Sequence, residues 1–267
     1  WAKAAFQRRK PPKKFKGDEL LEDIGILGDS TRHLLQNKTR MDRNKIRLRV
    51  LLYRKLSLVE IHNKKNILFS TKWFGVIKLT SLGVAYCIRE FPKLTAFLEK
   101  KNKAGYEMKY VPHRLMTHLV AHCVEDIVVF QSSYGPGGSK TRIKTYYTGP
   151  GFQDGLWPDL VGRDGDQKIY IEVEYSFTPD DFKLKGKMYI DSEVPVVYVI
   201  CPDLDAAEKL CAAVSWELED HRSDAMSRTL FRFFWLKSKH ENGCTTVTLE
   251  RGPELTGGID VDRRRFR

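Results

Sequence analysis

The sequence predicts a mixed α/β chain in two parts, with helices and a small hairpin in front and a sheet flanked by helices behind. Three observations predict it. Charge is divided: residues 1–110 carry 26 Lys and Arg against 10 Asp and Glu, a net +16, whereas residues 111–267 carry 20 against 24, a net −4. Apolar residues recur at helical spacing through residues 18–61. Further on, KIYIEVEY (168–175) alternates and VPVVYVI (194–200) is continuously apolar, the patterns of a half-buried and a fully buried strand.

At 267 residues the chain is long enough for two modest domains with real cores. Its 42% hydrophobic and 30% charged residues place it among ordinary globular proteins. It opens at Trp1, so a native start upstream is expected, and no signal-peptide pattern is present in it. No run of 18 uninterrupted apolar residues occurs, so no membrane partner is expected. The five cysteines, at 87, 123, 201, 211 and 244, are odd in number and contain no Cys-x-x-Cys pair, which argues against a zinc ribbon or a disulfide framework and for a reducing cytoplasm.

Residues 1–17 crowd Arg8, Arg9, Lys10, Lys13, Lys14 and Lys16 around Pro11 and Pro12 and read as a basic arm. Residues 18–105 follow as one domain. Leu20, Leu21, Ile24 and Leu27 mark a first helix, and Leu34 and Leu35 mark a second, capped by Asp29 or Ser30. A third helix is read from DRNKIRLRVLLYRKLSLVEIHN, with Ile46, Val50, Leu51 and Leu58 as its core stripe. Arg43, Lys45, Arg47, Arg49, Arg54 and Lys55 decorate it as candidate DNA contacts. NILFSTKWFGVIKL reads as a hairpin carrying Lys72, another candidate contact, and a Leu-Thr-x-x-Gly turn leads into a closing helix. This is the order of a winged helix-turn-helix, which sets a helix in the major groove and the hairpin against the backbone. Basic charge suits a polyanion because each neutralised phosphate releases counterions. A charged, turn-rich stretch at 100–105 reads as the boundary to residues 106–267.

In the second part, residues 113–129 read as a helix running into a strand, and 131–157 as a long hairpin or loop rich in Gly, Ser, Thr and Tyr. PDLVG (158–162) and KIYIEVEY are strands. Thr178-Pro179-Asp180-Asp181 opens a helix to about Ile190, with threonine as cap and acids at the positive end of the helix dipole. VPVVYVI is a central strand, DAAEKLCAAVSWELEDH a helix, and FRFFWLK and TTVTLE late strands.

The chemistry-bearing pattern is Asp159 after Pro158, followed thirteen residues later by Glu172-Val173-Glu174. Alternation puts Glu172 and Glu174 on one strand face, and a hairpin brings Asp159 beside them. Three carboxylates in one place repel, and a hard cation such as Mg²⁺ or Mn²⁺ relieves the conflict. Beside a phosphodiester, such an ion activates water. On spacing alone, a solvent-facing edge strand explains the two glutamates equally well. On helix 113–126, His118, His122 and Glu125 share a face; Glu125 is a candidate metal ligand, and the histidines read as hydrogen-bonded helix residues. Tyr134, Tyr146 and Tyr147 sit in the loop, where stacking on unpaired bases is favoured over a covalent nucleophile; Tyr146 and Tyr147 are the candidate contacts.

The order helix, strand, Pro-Asp strand, Glu-x-Glu strand, helix, apolar strand over residues 113–200 resembles the PD-(D/E)XK superfamily. The resemblance implies a restriction-endonuclease-like αβββαβ core. Glu174 stands where most members carry lysine. The following helix supplies Lys183, Lys185 and Lys187, and Lys185, one turn before Tyr189, is the expected replacement. More narrowly, the winged-helix order, Val111-Pro112-His113-Arg114-Leu115 and the Lys185-x-x-x-Tyr189 spacing resemble the plasmid replication-relaxation proteins and C-type mobilisation relaxases. That resemblance implies nicking at a plasmid or mobile-element origin of transfer or replication, alongside other relaxosome or replication proteins. The expectation is a metal-dependent DNA endonuclease using Asp159, Glu172, Glu174 and Lys185. The alternative is a non-catalytic DNA-binding replication or mobilisation accessory protein that retains a nuclease fold.

Overall fold

A computed structural model describes residues 19–62, 75–103, 111–124, 127–132, 158–175, 179–192, 194–220, 229–241 and 244–256. The basic arm, Lys72, Glu125, Tyr134, Tyr146 and Tyr147 lie outside the described residues. The fold is mixed α/β and divides into two compact units, Trp1–His118 and Leu119–Arg267. No described helix is long and apolar enough to cross a membrane.

The first unit contains α1 (Glu19–Leu27), α2 (Arg32–Thr39), α3 (Arg43–Lys55), β1 (Val59–His62), β2 (Val76–Leu79), α4 (Ser81–Glu90), a short 3₁₀ turn (Pro92–Leu94) and α5 (Thr95–Lys103). Each boundary has a local cause. Thr31, not Asp29 or Ser30, caps α2 by accepting the Leu34 N–H at 3.2 Å. Ser30 instead pairs with Ile77, its N–H and C=O exchanging bonds of 3.0 and 2.7 Å with that residue's backbone. Asp42 caps α3 by accepting from Asn44 and Lys45 N–H at 2.8 and 3.1 Å.

Helix α3 ends at Lys55, eight residues short of Asn63, where the sequence reading carried it. Ser57 takes a left-handed φ of 59°, which no helix continues through, and the β-branched Val59 and Ile61 then form a strand antiparallel to β2. The core stripe differs as well. Ile46, Val50 and Tyr53 are buried, whereas Leu51 is 39% exposed and lies beside Leu48 and Leu52, exposed at 67% and 38%. Leu58 is buried from the loop after the helix. Residues 100–103 belong to α5 rather than to a turn. Lysine is a good helix former, and no Gly or Pro interrupts before Gly105.

Thr80 and Gly83 set the entry to α4. The Thr80 hydroxyl caps the Gly83 N–H at 3.0 Å, and a Cβ on Gly83 would stand 1.9 Å from the Leu58 carbonyl oxygen. Only glycine allows that approach.

The second unit is built on one six-stranded sheet in sequential order: β3 (Val128–Ser132), β4 (Leu160–Asp164), β5 (Gln167–Val173), β6 (Val196–Cys201), β7 (Leu230–Glu241) and β8 (Cys244–Thr256). β5, β6 and β7 run parallel, and the outer pairings are antiparallel. A two-residue loop joins β4 to β5, with Gly165 at φ 58° and Asp164 paired with Gln167. Every residue of β6 is buried, as its apolar run predicts. Helix α6 (Val111–Cys123) precedes β3 and spans the division between the units, its residues up to His118 belonging to the first. Helices α7 (Pro179–Asp191) and α8 (Leu204–Asp220) are the crossovers that parallel strands require. Phe182 of α7 packs against Phe231 and Phe233 of β7, each at 6.1 Å between ring centroids. Val197, Val199, Leu210 and Val214 belong to the same core.

Candidate active site

The β4–β5 hairpin and the β5–α7–β6 crossover bring four predicted residues together. Antiparallel register pairs Leu160 with Ile171, so Asp159 comes opposite Glu172 one step further on. Asp159 is fixed there by accepting the Val173 N–H at 2.9 Å. Parallel register sets Glu172 beside Val199, and the Glu174 N–H donates to the Ile200 carbonyl at 2.9 Å. Glu172 and Glu174 therefore share the sheet face of Val199, at the carboxyl ends of β5 and β6, where ligand crevices of open α/β sheets form.

Helix α7 closes the cluster. Phe182, Lys185 and Tyr189 fall on one face by i, i+3, i+7 spacing. Phe182 and Tyr189 are buried and anchor the helix, while Lys185 reaches the carboxylates. Its Nζ donates to Glu172 Oε2 at 2.9 Å and to Glu174 Oε1 at 3.2 Å. The Tyr189 hydroxyl donates to Glu172 Oε1 at 2.5 Å. Tyr189 thus holds Glu172 in place. Glu172 is 1% exposed, whereas the Lys185 side chain, at 39%, is the most exposed of the cluster.

Burial pushes the Glu172 carboxyl up to about 7, with the Asp159 charge adding to the rise and Lys185 and Tyr189 opposing it. Burial works against the Lys185 ammonium, but Glu172, Glu174 and Asp159 together raise its pKa above the ordinary lysine value. Burial, then Glu172, raises Tyr189 far above the usual phenol, so its proton stays on the oxygen and points at the glutamate.

Among the described residues, no group of three or more His, Cys, Asp or Glu side chains is arranged to hold a metal ion unaided. Mg²⁺ usually binds one or two carboxylates and takes its remaining ligands from water and substrate phosphate. Asp159 and Glu172 fit that need. Their donors are all hard oxygens, and the negative charge of Asp159 disfavours ionised Glu172, a conflict that a divalent ion would relieve. When bound, such an ion would polarise a phosphate and activate water.

His118 takes a different part. Its Nε2 lies 3.0 Å from the Leu27 carbonyl in the first unit, the hydrogen-bonded helix histidine that the sequence favours. Arg114 pairs with buried Asp29 at 2.6 Å in the same unit.

Of the predicted DNA contacts, Arg43, Lys45, Arg47, Arg49 and Arg54 all lie on α3; Lys45, Arg47 and Arg54 are exposed and Arg43 and Arg49 half-buried. Arg32 of α2 joins them. Burial lowers its pKa first, and the neighbouring charges of Arg43 and Arg47 lower it further.

Sequence reading missed a second polar group on the sheet. Tyr198 donates to Asp164 and lies 3.4 Å from Arg232 Nη1, and Arg232 Nε pairs with Glu254 at 3.0 Å. Tyr198 stands 34 residues from each of its two partners, so no local spacing signals the group. No protein-family model, curated protein or solved structure matches the chain.

Proposed function

We propose that this chain is a metal-dependent DNA endonuclease that nicks one strand, with residues 18–105 acting as a winged-helix DNA-binding part and residues 106–267 as a nuclease part of restriction-endonuclease type. The observation that carries the reading is Lys185. It comes from the helix after the Glu-x-Glu strand and places its ammonium against both glutamates, with Asp159 just before the adjacent strand β4. This supplies, from α7, the cation missing at position 174. A plasmid or mobile-element origin as substrate follows from the family resemblance alone.

In this reading Asp159 and Glu172 would hold Mg²⁺ or Mn²⁺, with Glu174 beside them bound to Lys185. Asp159 is oriented by the Val173 N–H and Glu172 by Tyr189, so both would be preorganised. Lys185, as the exposed member, would meet a phosphate oxygen and stabilise the charge that develops as water bonds to phosphorus and the bond to the leaving oxygen breaks. A second reading, a DNA-binding accessory protein without hydrolysis, is favoured by the same ion pair: Lys185 already offsets two carboxylates.

The test is nicking of supercoiled plasmid, with a cognate origin where one is identified, with and without Mn²⁺. The expected outcome is metal-dependent open circles from the wild type. Asp159→Asn should make none, and Lys185→Ala should be slower by about a hundredfold or more, as when a positioned electrostatic group is deleted. Nicking that survives Asp159→Asn would remove the site. Metal binding without nicking by the wild type would leave the accessory reading.

A further inference from the structure

Helix α3 presents a face whose composition is unusual for a solvated helix. At ~100° per residue, the buried direction is set by Ile46, Val50 and Tyr53. Opposite them runs a strip of Asn44, Leu48, Leu51, Leu52 and Lys55, all exposed, with Leu48 at 67%. Arg43, Arg47 and Arg54 flank the strip on one side, and Lys45 and Arg49 flank it on the other. The helix contains no acidic residue, and Asp42 just before it is engaged as the cap. Three leucines in water, hemmed by cations on both sides, match a surface made to be covered by something anionic at its edges and apolar at its centre.

The major groove of duplex DNA has that form. Phosphates line both rims, and the floor carries methyl groups only where thymine occurs. An A·T pair also offers adenine N6 and N7, which an Asn side chain can read in bidentate fashion. The cations on the two flanks match two rows of phosphate, whereas a protein partner for the leucines would have no reason to need cations on both sides. Burial first, and then the charges of Arg43 and Arg47, lower the pKa of Arg32, and phosphates would relieve that repulsion between arginines.

We infer that the exposed strip Asn44–Leu48–Leu51–Leu52 of α3 is a base-reading surface that selects thymine-containing A·T sites, while the flanking cations hold the backbone without regard to sequence. The inference rests on the reading that the front half binds duplex DNA.

The experiment is selection from a duplex library randomised at its centre, using the full chain and Leu48→Ser/Leu51→Ser. Both positions are exposed, so the fold should tolerate the change; circular dichroism and the melting curve check this. The wild type should enrich a thymine-containing motif. The variant should retain salt-sensitive duplex binding but enrich none. Replacing thymine by uracil within the motif should weaken the wild type by about fourfold per contacted methyl and leave the variant unchanged. Duplex binding with no enriched motif, or the same motif from the variant, would overturn base reading by the strip while leaving DNA binding intact. Loss of self-association in the variant, seen by sedimentation with the motif unchanged, would assign the leucines to a protein contact and overturn the inference. Failure of the wild type to bind any duplex would sink the DNA reading itself.

Discussion

Glu172 concentrates the electrostatics of the second unit. Its carboxyl is buried, sits beside the charge of Asp159 and is held by Tyr189 and Lys185. Its folded-state value of about 7 lies above the ordinary 4.5, so between those values the folded chain binds more protons than the unfolded one. The stability contributed by protonated Glu172 is therefore complete below about 4.5 and is lost as pH rises through about 7. The loss is about 3 kcal/mol for a shift of that size. Asp159→Asn removes the neighbouring charge and keeps an oxygen to accept the Val173 N–H. In metal-free protein this variant should gain melting temperature relative to wild type at pH 8, and the gain should shrink at pH 5. A difference between the two proteins that is the same at both pH values would show that Asp159 does not press on Glu172.

At the scale of elements, the site depends on α7 being held down by a side chain that takes no part in it. Phe182 fits between Phe231 and Phe233 one turn before Lys185. Phe182→Ala should cost ~3–5 kcal/mol, the usual range for emptying an aromatic core position. It should also reduce nicking at temperatures where the fold persists, because the ammonium would no longer be directed at Glu172 and Glu174. Denaturant unfolding of the variant against wild type measures the first effect. A loss below ~1 kcal/mol would mean that the helix is anchored elsewhere.

Local spacing made much of this legible. Alternation in KIYIEVEY placed Glu172 and Glu174 on one face, and the i+4 relation to Tyr189 singled out Lys185 from three lysines. The same reasoning overran α3. Leu58 reads as the last residue of the apolar stripe, and nothing local announces that Ser57 adopts a left-handed conformation. It also assigned Leu51 to the core in place of Tyr53, because helical spacing fixes which residues share a face but not which face the rest of the fold will cover. The Tyr198–Asp164–Arg232 group lay beyond reach, since its members meet only once the strands are ordered into a sheet.

For the whole molecule, the division of charge predicts that binding and chemistry separate. Under the proposed function, the net +16 of residues 1–110 should give duplex affinity a steep dependence on salt, about 0.9 in the log–log slope for each phosphate neutralised. The −4 half contributes little to that term, since its carboxylates repel the backbone unless a cation intervenes. Arg47 and Arg54 are exposed on α3, so each should account for about one phosphate. Arg47→Gln and Arg54→Gln should each flatten the salt slope by about one and weaken binding to all sequences alike. Once the plasmid is saturated, nicking by these variants should proceed at the wild-type rate. Asp159→Asn should do the reverse, abolishing nicking while leaving the slope and the low-salt affinity unchanged. Fluorescence anisotropy over a salt series, beside plasmid nicking at saturating protein, reads both quantities. A salt slope that changes with Asp159→Asn, or one that ignores both arginine variants, would mean that the two halves do not divide the work as their charges do.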